Sequence, residues 1–246
     1  MTEESIPDVQ PAPPPTPEPF WSWGDFLLFL LLAFPCLLIA SLLTRAALFL
    51  FHLESAPKGL QALPAEFLFY GMWLPTLALL FRMKYRAPFW KSLGWWYRPS
   101  SVFPSLLNGV SLAVAVGILG IFLKTPLVQS PMQELMRDRN TAIAIAVLAV
   151  TLGPVCEEVI FRGLLLPLLV RSAGAPAGIV LAALPFALLH GPQYGWVWQA
   201  VALVTLAGIG FGVVRHWTGS TAAAAITHAA YNGAFLLAWF QKSADF

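Results

Sequence analysis

Long apolar runs separated by short polar stretches dominate this chain. Seven runs stand out, and most approach the length of about 20 residues that a helix needs to cross a bilayer. They are expected at about Phe26–Leu43, Leu63–Phe81, Val102–Leu123, Ala142–Val170, Ala175–His190, Trp196–Val214 and Ala222–Phe240. The first and fourth runs could each hold two helical pieces, and the short alternating strands of a closed barrel are absent. The pattern predicts an all-α, polytopic membrane helix bundle with about seven to eight transmembrane helices.

The composition also indicates a membrane protein. Hydrophobic residues make up 58% of the 246 residues and charged residues only 11%, whereas a soluble domain carries about a quarter charged residues. A net charge of +2 with no basic face argues against nucleic acid as a partner. Cys36 and Cys156 both lie in apolar segments, so we expect core residues rather than a disulfide, and they indicate no redox compartment.

Three regions follow from the distribution of polar residues. Residues 1–19 are rich in proline and acidic residues and lack the basic start and apolar core of a secretory signal. They are predicted to be a disordered tail, with a PxxP ligand for some partner as the alternative. Residues 20–139 are expected to form N-terminal transmembrane helices, and residues 140–246 a transmembrane core that carries the chemistry.

The orientation is predicted from the basic residues of the short loops. Five of them fall between the second and third apolar runs: Arg82, Lys84, Arg86, Lys91 and Arg98. The positive-inside rule makes this loop cytoplasmic, and the N-terminus is then cytoplasmic too. The opposite loops also hold four basic residues, so the bias is modest. The cell membrane is the expected location, and the oligomeric state stays open.

Ionisable residues inside membrane segments are candidates for function, because each costs roughly 2.5–3.5 kcal/mol to insert. Glu157 and Glu158 are adjacent in the fourth run, so on a helix they point about 100° apart and cannot share one partner equally. Arg162 lies four residues after Glu158, on the same face, and is expected to neutralise it. Glu157 then faces something else, and Pro154 upstream could kink the helix beside it.

Two further groups lie on later runs. His190 follows Phe186 by four residues and precedes Gly191-Pro192, which should end its helix. His228 and Asn232 are also four apart, so both project from one face of the seventh run. Polar contacts between helices would explain either residue alone, but they explain the whole set poorly. Glu66, in contrast, lies near the start of the second run and is interpreted as a residue close to water.

These groups, in this order, resemble the CPBP family of intramembrane proteases, which includes type II CAAX prenyl endopeptidases and bacteriocin-processing and immunity proteins. The matching residues are Glu157, Glu158 and Arg162, then Phe186 and His190, then His228 and Asn232. The spacing within and between the groups fits the family, as do Pro154 and the sequence Phe161-Arg162-Gly163. The resemblance covers roughly residues 140–235.

The resemblance implies an endopeptidase that cleaves a membrane-associated peptide or protein tail. Glu157 would be the general base and His190 its partner in activating water, while His228 and Asn232 would stabilise the oxyanion. Glu158, Arg162 and Phe186 would be supporting residues. The alternatives are a non-catalytic membrane scaffold or immunity protein of the same fold, and a small transporter, although the paired repeats of many transporters are absent.

No metal or other cofactor is expected. A helical zinc protease typically carries H-E-x-x-H, with two ligands one turn apart and the base between them, and this chain has no such motif. The expected partners are membrane lipid and a peptide or protein substrate. The substrate itself, and whether it is prenylated, cannot be read from the sequence.

Overall fold

The computed structural model describes residues 19–126 and 130–244, and this part of the chain is helical with no strand. Apart from Pro19, the predicted disordered tail lies outside the described residues. The elements are α1 (Trp23–Leu31), α2 (Ala33–Leu50), α3 (Lys58–Tyr85), α4 (Phe89–Ser92), α5 (Pro99–Phe122), α6 (Pro131–Leu135), α7 (Arg139–Val150), α8 (Leu152–Glu158), a π-helical segment (Val159–Leu165), α9 (Leu166–Ala173), α10 (Ala175–His190), a 3₁₀ turn (Gly191–Tyr194), α11 (Trp198–Thr218) and α12 (Thr221–Ala244).

Six helices of the described residues are long and apolar enough to cross a membrane. They are Trp23–Leu50, Lys58–Tyr85, Pro99–Phe122, Arg139–Ala173, Ala175–Tyr194 and Trp198–Thr218. The prediction of an all-α polytopic bundle is confirmed, and these six helices meet the criteria of length and composition. The seventh run forms α12, which has the length of a span but carries His228, Tyr231 and Asn232 in its middle and is therefore less apolar.

The fourth run is interrupted, as its length and Pro154 suggested. α7 ends at Val150, because the following residue, Thr151, has a φ of −124° and a ψ of −94°, outside the helical region. Pro154 has no N–H to bond the carbonyl of Val150 four residues earlier, which explains why the break lies just upstream of the proline. A second irregularity, the π-helical segment Val159–Leu165, follows directly after Glu158. Both glutamates therefore lie on one short helix between two irregular segments.

Helix α12 packs along α5 and also contacts α7, α8 and α11. Small residues permit this close approach: a Cβ atom at Gly109 of α5 would lie 2.2 Å from the carbonyl oxygen of Thr227. Ala222–Ala225, at the start of α12, are all buried. Helix α10 packs against α9 and α11, and α11 in turn packs against α12.

Cys36 and Cys156 are both buried and unpaired. The expectation of core cysteines rather than a disulfide is confirmed.

Candidate active site

Three ionisable side chains from three helices converge at the centre of the bundle. Oε2 of Glu157 on α8 lies 3.7 Å from Nε2 of His190 on α10 and 3.8 Å from Nε2 of His228 on α12. Both distances exceed a direct hydrogen bond of 2.7–3.2 Å, and this buried carboxylate oxygen has no hydrogen-bond partner. The side chains are 24%, 18% and 4% exposed, in the order given. The cluster is thus enclosed but still accessible on the side of Glu157 and His190.

The orientation of His190 is fixed by its own helix end. Its Nδ1–H donates to the carbonyl oxygen of Phe186 at 2.7 Å, because a carbonyl can only accept. The Nε2 atom that faces Glu157 therefore carries a lone pair in the neutral ring. Phe186 is buried, and its ring centroid lies 4.6 Å from that of His190. The supporting position expected of Phe186 thus involves both its carbonyl and its ring.

His228 is held by a carboxylate and an aromatic ring. Its Nδ1–H donates to Oε1 of Glu158 at 2.9 Å, and its ring stacks on Phe211 of α11 with centroids 4.4 Å apart at 20°. These two contacts direct Nε2 towards Glu157. The contact between His228 and Glu158 joins residues 70 positions apart, so no local spacing in the sequence could reveal it.

The ion pair expected from the spacing of Glu158 and Arg162 is present. Nη1 of Arg162 donates to Oε1 of Glu158 at 2.9 Å, and both side chains are fully buried. Nη2 of Arg162 donates to the carbonyl of Gly208 on α11 at 2.7 Å. The guanidinium also lies over the rings of Phe186 and Phe211, 4.6 and 5.3 Å from their centroids. Arg162 thus ties the π-helical segment to α10 and α11.

Asn232 lies on α12 one turn after His228, but its amide is directed at α7. Nδ2 donates to the carbonyl of Ala149 at 2.8 Å. Ala149 is in the last turn of α7, where carbonyls lose their partners because the helix stops. Asn232 therefore provides a hydrogen-bond donor for a carbonyl at the C-terminal end of α7. Its expected role at the oxyanion stays a prediction.

Sequence reasoning missed several residues around Glu157. Gly208 and Phe211 of α11 were overlooked, since an apolar helix with a few glycines only indicates close packing. Tyr70 on α3 and Tyr194 after α10 lie near enough to Glu157 to interact with it electrostatically. Glu66 also interacts with Glu157 in this way. Because α3 begins at Lys58, Glu66 lies more than two turns inside the helix, deeper than its position in the apolar run suggested.

Across residues 19–126 and 130–244, no group of three or more His, Cys, Asp or Glu side chains is arranged to hold a metal ion. The expectation of no catalytic metal stays a prediction.

Comparison with known proteins gives one family. The family model described as type II CAAX prenyl endopeptidase Rce1-like matches residues 139–234, which extend from α7 into α12 and include every residue of the cluster. Neither the curated proteins nor the solved structures gave a match. Residues 139–234 of this multi-pass membrane protein therefore match the Rce1-like family, which confirms the predicted resemblance to the CPBP proteases.

Proposed function

We propose that this protein is an intramembrane endopeptidase of glutamic type, in which Glu157 and His190 activate a water molecule to cleave a membrane-associated peptide or protein tail. One observation carries the proposal. A carboxylate oxygen without a hydrogen-bond partner faces two imidazole nitrogens at 3.7 and 3.8 Å, midway along a membrane-spanning segment. Unsatisfied polar groups are costly in an apolar interior, so a reacting water and substrate account for this arrangement.

The distance between Glu157 and His190 suits a shared water. A water oxygen about 2.8 Å from each partner forms a triangle whose third side, 3.7 Å, is the observed separation of Oε2 and Nε2. His190 would accept one water hydrogen at Nε2, since its Nδ1–H is held by Phe186. Glu157 would accept the other and remove that proton as the water oxygen attacks the peptide carbonyl.

His228 would stabilise the tetrahedral intermediate. As an imidazolium it would donate from Nε2 to the oxyanion, while its Nδ1–H remains bonded to the carboxylate of Glu158. The intermediate then collapses with cleavage of the C–N bond, and the proton held by Glu157 passes to the leaving nitrogen. The balance is one peptide and one water giving a carboxylic acid and an amine.

The test is cleavage by the full chain reconstituted in liposomes. The probe is a library of membrane-anchored reporters with randomised C-terminal tails, read out by sequencing the released fragments. The wild type should release fragments, Glu157→Gln should release none, and Glu54→Gln, an exposed glutamate in the loop before α3, should match the wild type. Cleavage by Glu157→Gln at the wild-type rate would refute the mechanism, and a transporter or scaffold would release nothing in any variant.

We further place the protein in the cell membrane with a cytoplasmic N-terminus, on the basis of the basic loop between α3 and α5. α12 begins against this loop, where the N–H of Thr221 donates to the carbonyl of Gly94 at 2.9 Å. Cysteines introduced singly into this loop and into the loop between α2 and α3 should differ in labelling by an impermeant maleimide in intact cells. Labelling of the basic loop between α3 and α5 from outside the cell would show that the orientation is the opposite of the one proposed.

A further inference from the structure

One face of α3 is packed against the bundle except at a single position. Leu63, Tyr70, Trp73 and Leu77 recur at the spacing of one helical stripe, and all of them are buried or half-buried. Glu66 lies in the middle of the same stripe, and yet it is exposed. The bundle is therefore open beside α3 at the level of Glu66, and not at the levels above and below.

This opening lies on the side of α3 that packs against the helix carrying Glu157. α3 packs against α7 and α8, which are separated by the break at Thr151. Glu66 interacts electrostatically with Glu157 and with Cys156 of α8, and Tyr70, one turn further along α3, interacts with both glutamates. We call the space beside Glu66 and Tyr70, on the side of α3 that packs against α8, the α3–α8 cleft.

Glu66 has no cationic partner among the residues that the structure describes. Its carboxylate takes part in none of the ion pairs or side-chain hydrogen bonds there, and the guanidinium nearest to the cluster, Arg162, is bound to Glu158. A carboxylate inside an apolar span is costly without a partner, and two carboxylates that interact with each other raise that cost. Glu66 thus lacks the structural role that Glu158 has.

Resting on the proposed function, we propose that Glu66 determines specificity by binding a lysine or arginine side chain of the substrate in the α3–α8 cleft. A substrate cation there would pair with Glu66 and offset its repulsion with Glu157. An acidic substrate residue in the same place would add a third negative charge and be rejected. The cleaved segments should therefore carry a basic residue near the scissile bond.

The experiment compares substrate preference in the full chain in liposomes. From the reporter library, the tail that the wild type cleaves best is resynthesised with each basic residue replaced in turn by norleucine, which keeps the apolar stem. The wild type should favour one basic residue over norleucine by about tenfold or more in kcat/KM. In Glu66→Gln the ratio of kcat/KM for the basic residue to that for norleucine should fall close to one, mainly because KM for the basic substrate rises. Glu54→Gln should keep the wild-type ratio. Glu66→Lys should shift the preference towards Asp or Glu.

Two outcomes would overturn the inference while leaving the proposed function intact. One is a wild-type library profile without enrichment of Lys or Arg. The other is a ratio in Glu66→Gln equal to that of the wild type. A wild type that cleaves no member of the library would instead refute the proposed function. Glu66→Gln retains size and hydrogen bonding, so the comparison does not depend on whether Glu66→Lys folds.

Discussion

Replacing Arg162 by alanine should destabilise this protein far more than replacing the proposed catalytic base. The guanidinium is fully buried and makes an ion pair with Glu158, a hydrogen bond with the carbonyl of Gly208 and contacts with two aromatic rings. Its removal leaves the carboxylate of Glu158 buried with only the imidazole of His228. Glu157, in contrast, has an unpartnered Oε2 and is partly exposed. Glu157→Gln therefore breaks no ion pair with an arginine or lysine side chain.

The expected loss in the free energy of unfolding follows from the buried ion pair of Glu158 and Arg162. Removing one member of a buried ion pair costs about 3–5 kcal/mol, because the other charge is left uncompensated. The lost contacts with Phe186 and Phe211 belong to the same truncation, so we take the upper half of that range for Arg162→Ala. For Glu157→Gln we expect a change within about 1 kcal/mol, the size of one ordinary hydrogen bond.

The assay is thermal unfolding of the purified protein in detergent, together with cleavage of the reporter library. Arg137→Ala is the matched control, because Arg137 is an exposed arginine in the turn between α6 and α7. Glu157→Gln should lose cleavage at nearly wild-type stability, and Arg162→Ala should lose both. If Glu157→Gln proves as unstable as Arg162→Ala, the division between a catalytic and a structural glutamate is wrong.

Three other outcomes are expected. Gly109→Ala should lower the free energy of unfolding by about 1–3 kcal/mol, because its Cβ would lie 2.2 Å from the backbone oxygen of Thr227. Gly71→Ala is the control: a Cβ there has nothing within 4 Å, so the substitution should be neutral in the same unfolding assay. Asn232→Ala should lower the free energy of unfolding by about 1–3 kcal/mol, because the carbonyl of Ala149 loses its donor; loss of cleavage at unchanged stability would instead favour the oxyanion role. Exhaustive chelation should leave cleavage unchanged, with metal content measured on the same sample; stoichiometric zinc whose removal abolishes cleavage and whose return restores it would recast the cluster as a metal site.

The sequence predicts this architecture well where the signal is local. The fifth run was expected at Ala175–His190, and α10 has those bounds. The pair of Glu158 and Arg162 followed from their spacing of four residues. The π-helical segment after Glu158 could not be foreseen, since nothing in Val159–Leu165 distinguishes it from an ordinary apolar helix. Contacts between helices that are distant in the sequence, such as the hydrogen bond from Asn232 to Ala149, could not be predicted either.

Glu66 shows a different limit of sequence reasoning. Near the start of an apolar run, a glutamate is ordinarily explained by nearby water. The interest of Glu66 depends on two features of the packing that the sequence does not show. The other residues on the same face of α3 are buried or half-buried, and Glu66 is close enough to Glu157 for the two charges to interact. The functional weight of an ionisable residue in a membrane helix thus depends on what it faces as well as on its depth.

The adjacency of Glu157 and Glu158 explains how one short helix serves two needs. Because neighbouring residues point about 100° apart, Glu157 is directed between His190 and His228 while Glu158 is directed inward to Arg162. Glu158 also accepts a hydrogen bond from His228, so the buried ion pair contacts the candidate active site through one imidazole. Loss of Glu158 should therefore impair cleavage beyond its effect on stability, since His228 would lose the hydrogen-bond partner that fixes the orientation of its ring. Glu158→Gln can still accept from Nδ1 and should keep part of the orientation, whereas Glu158→Ala should keep none.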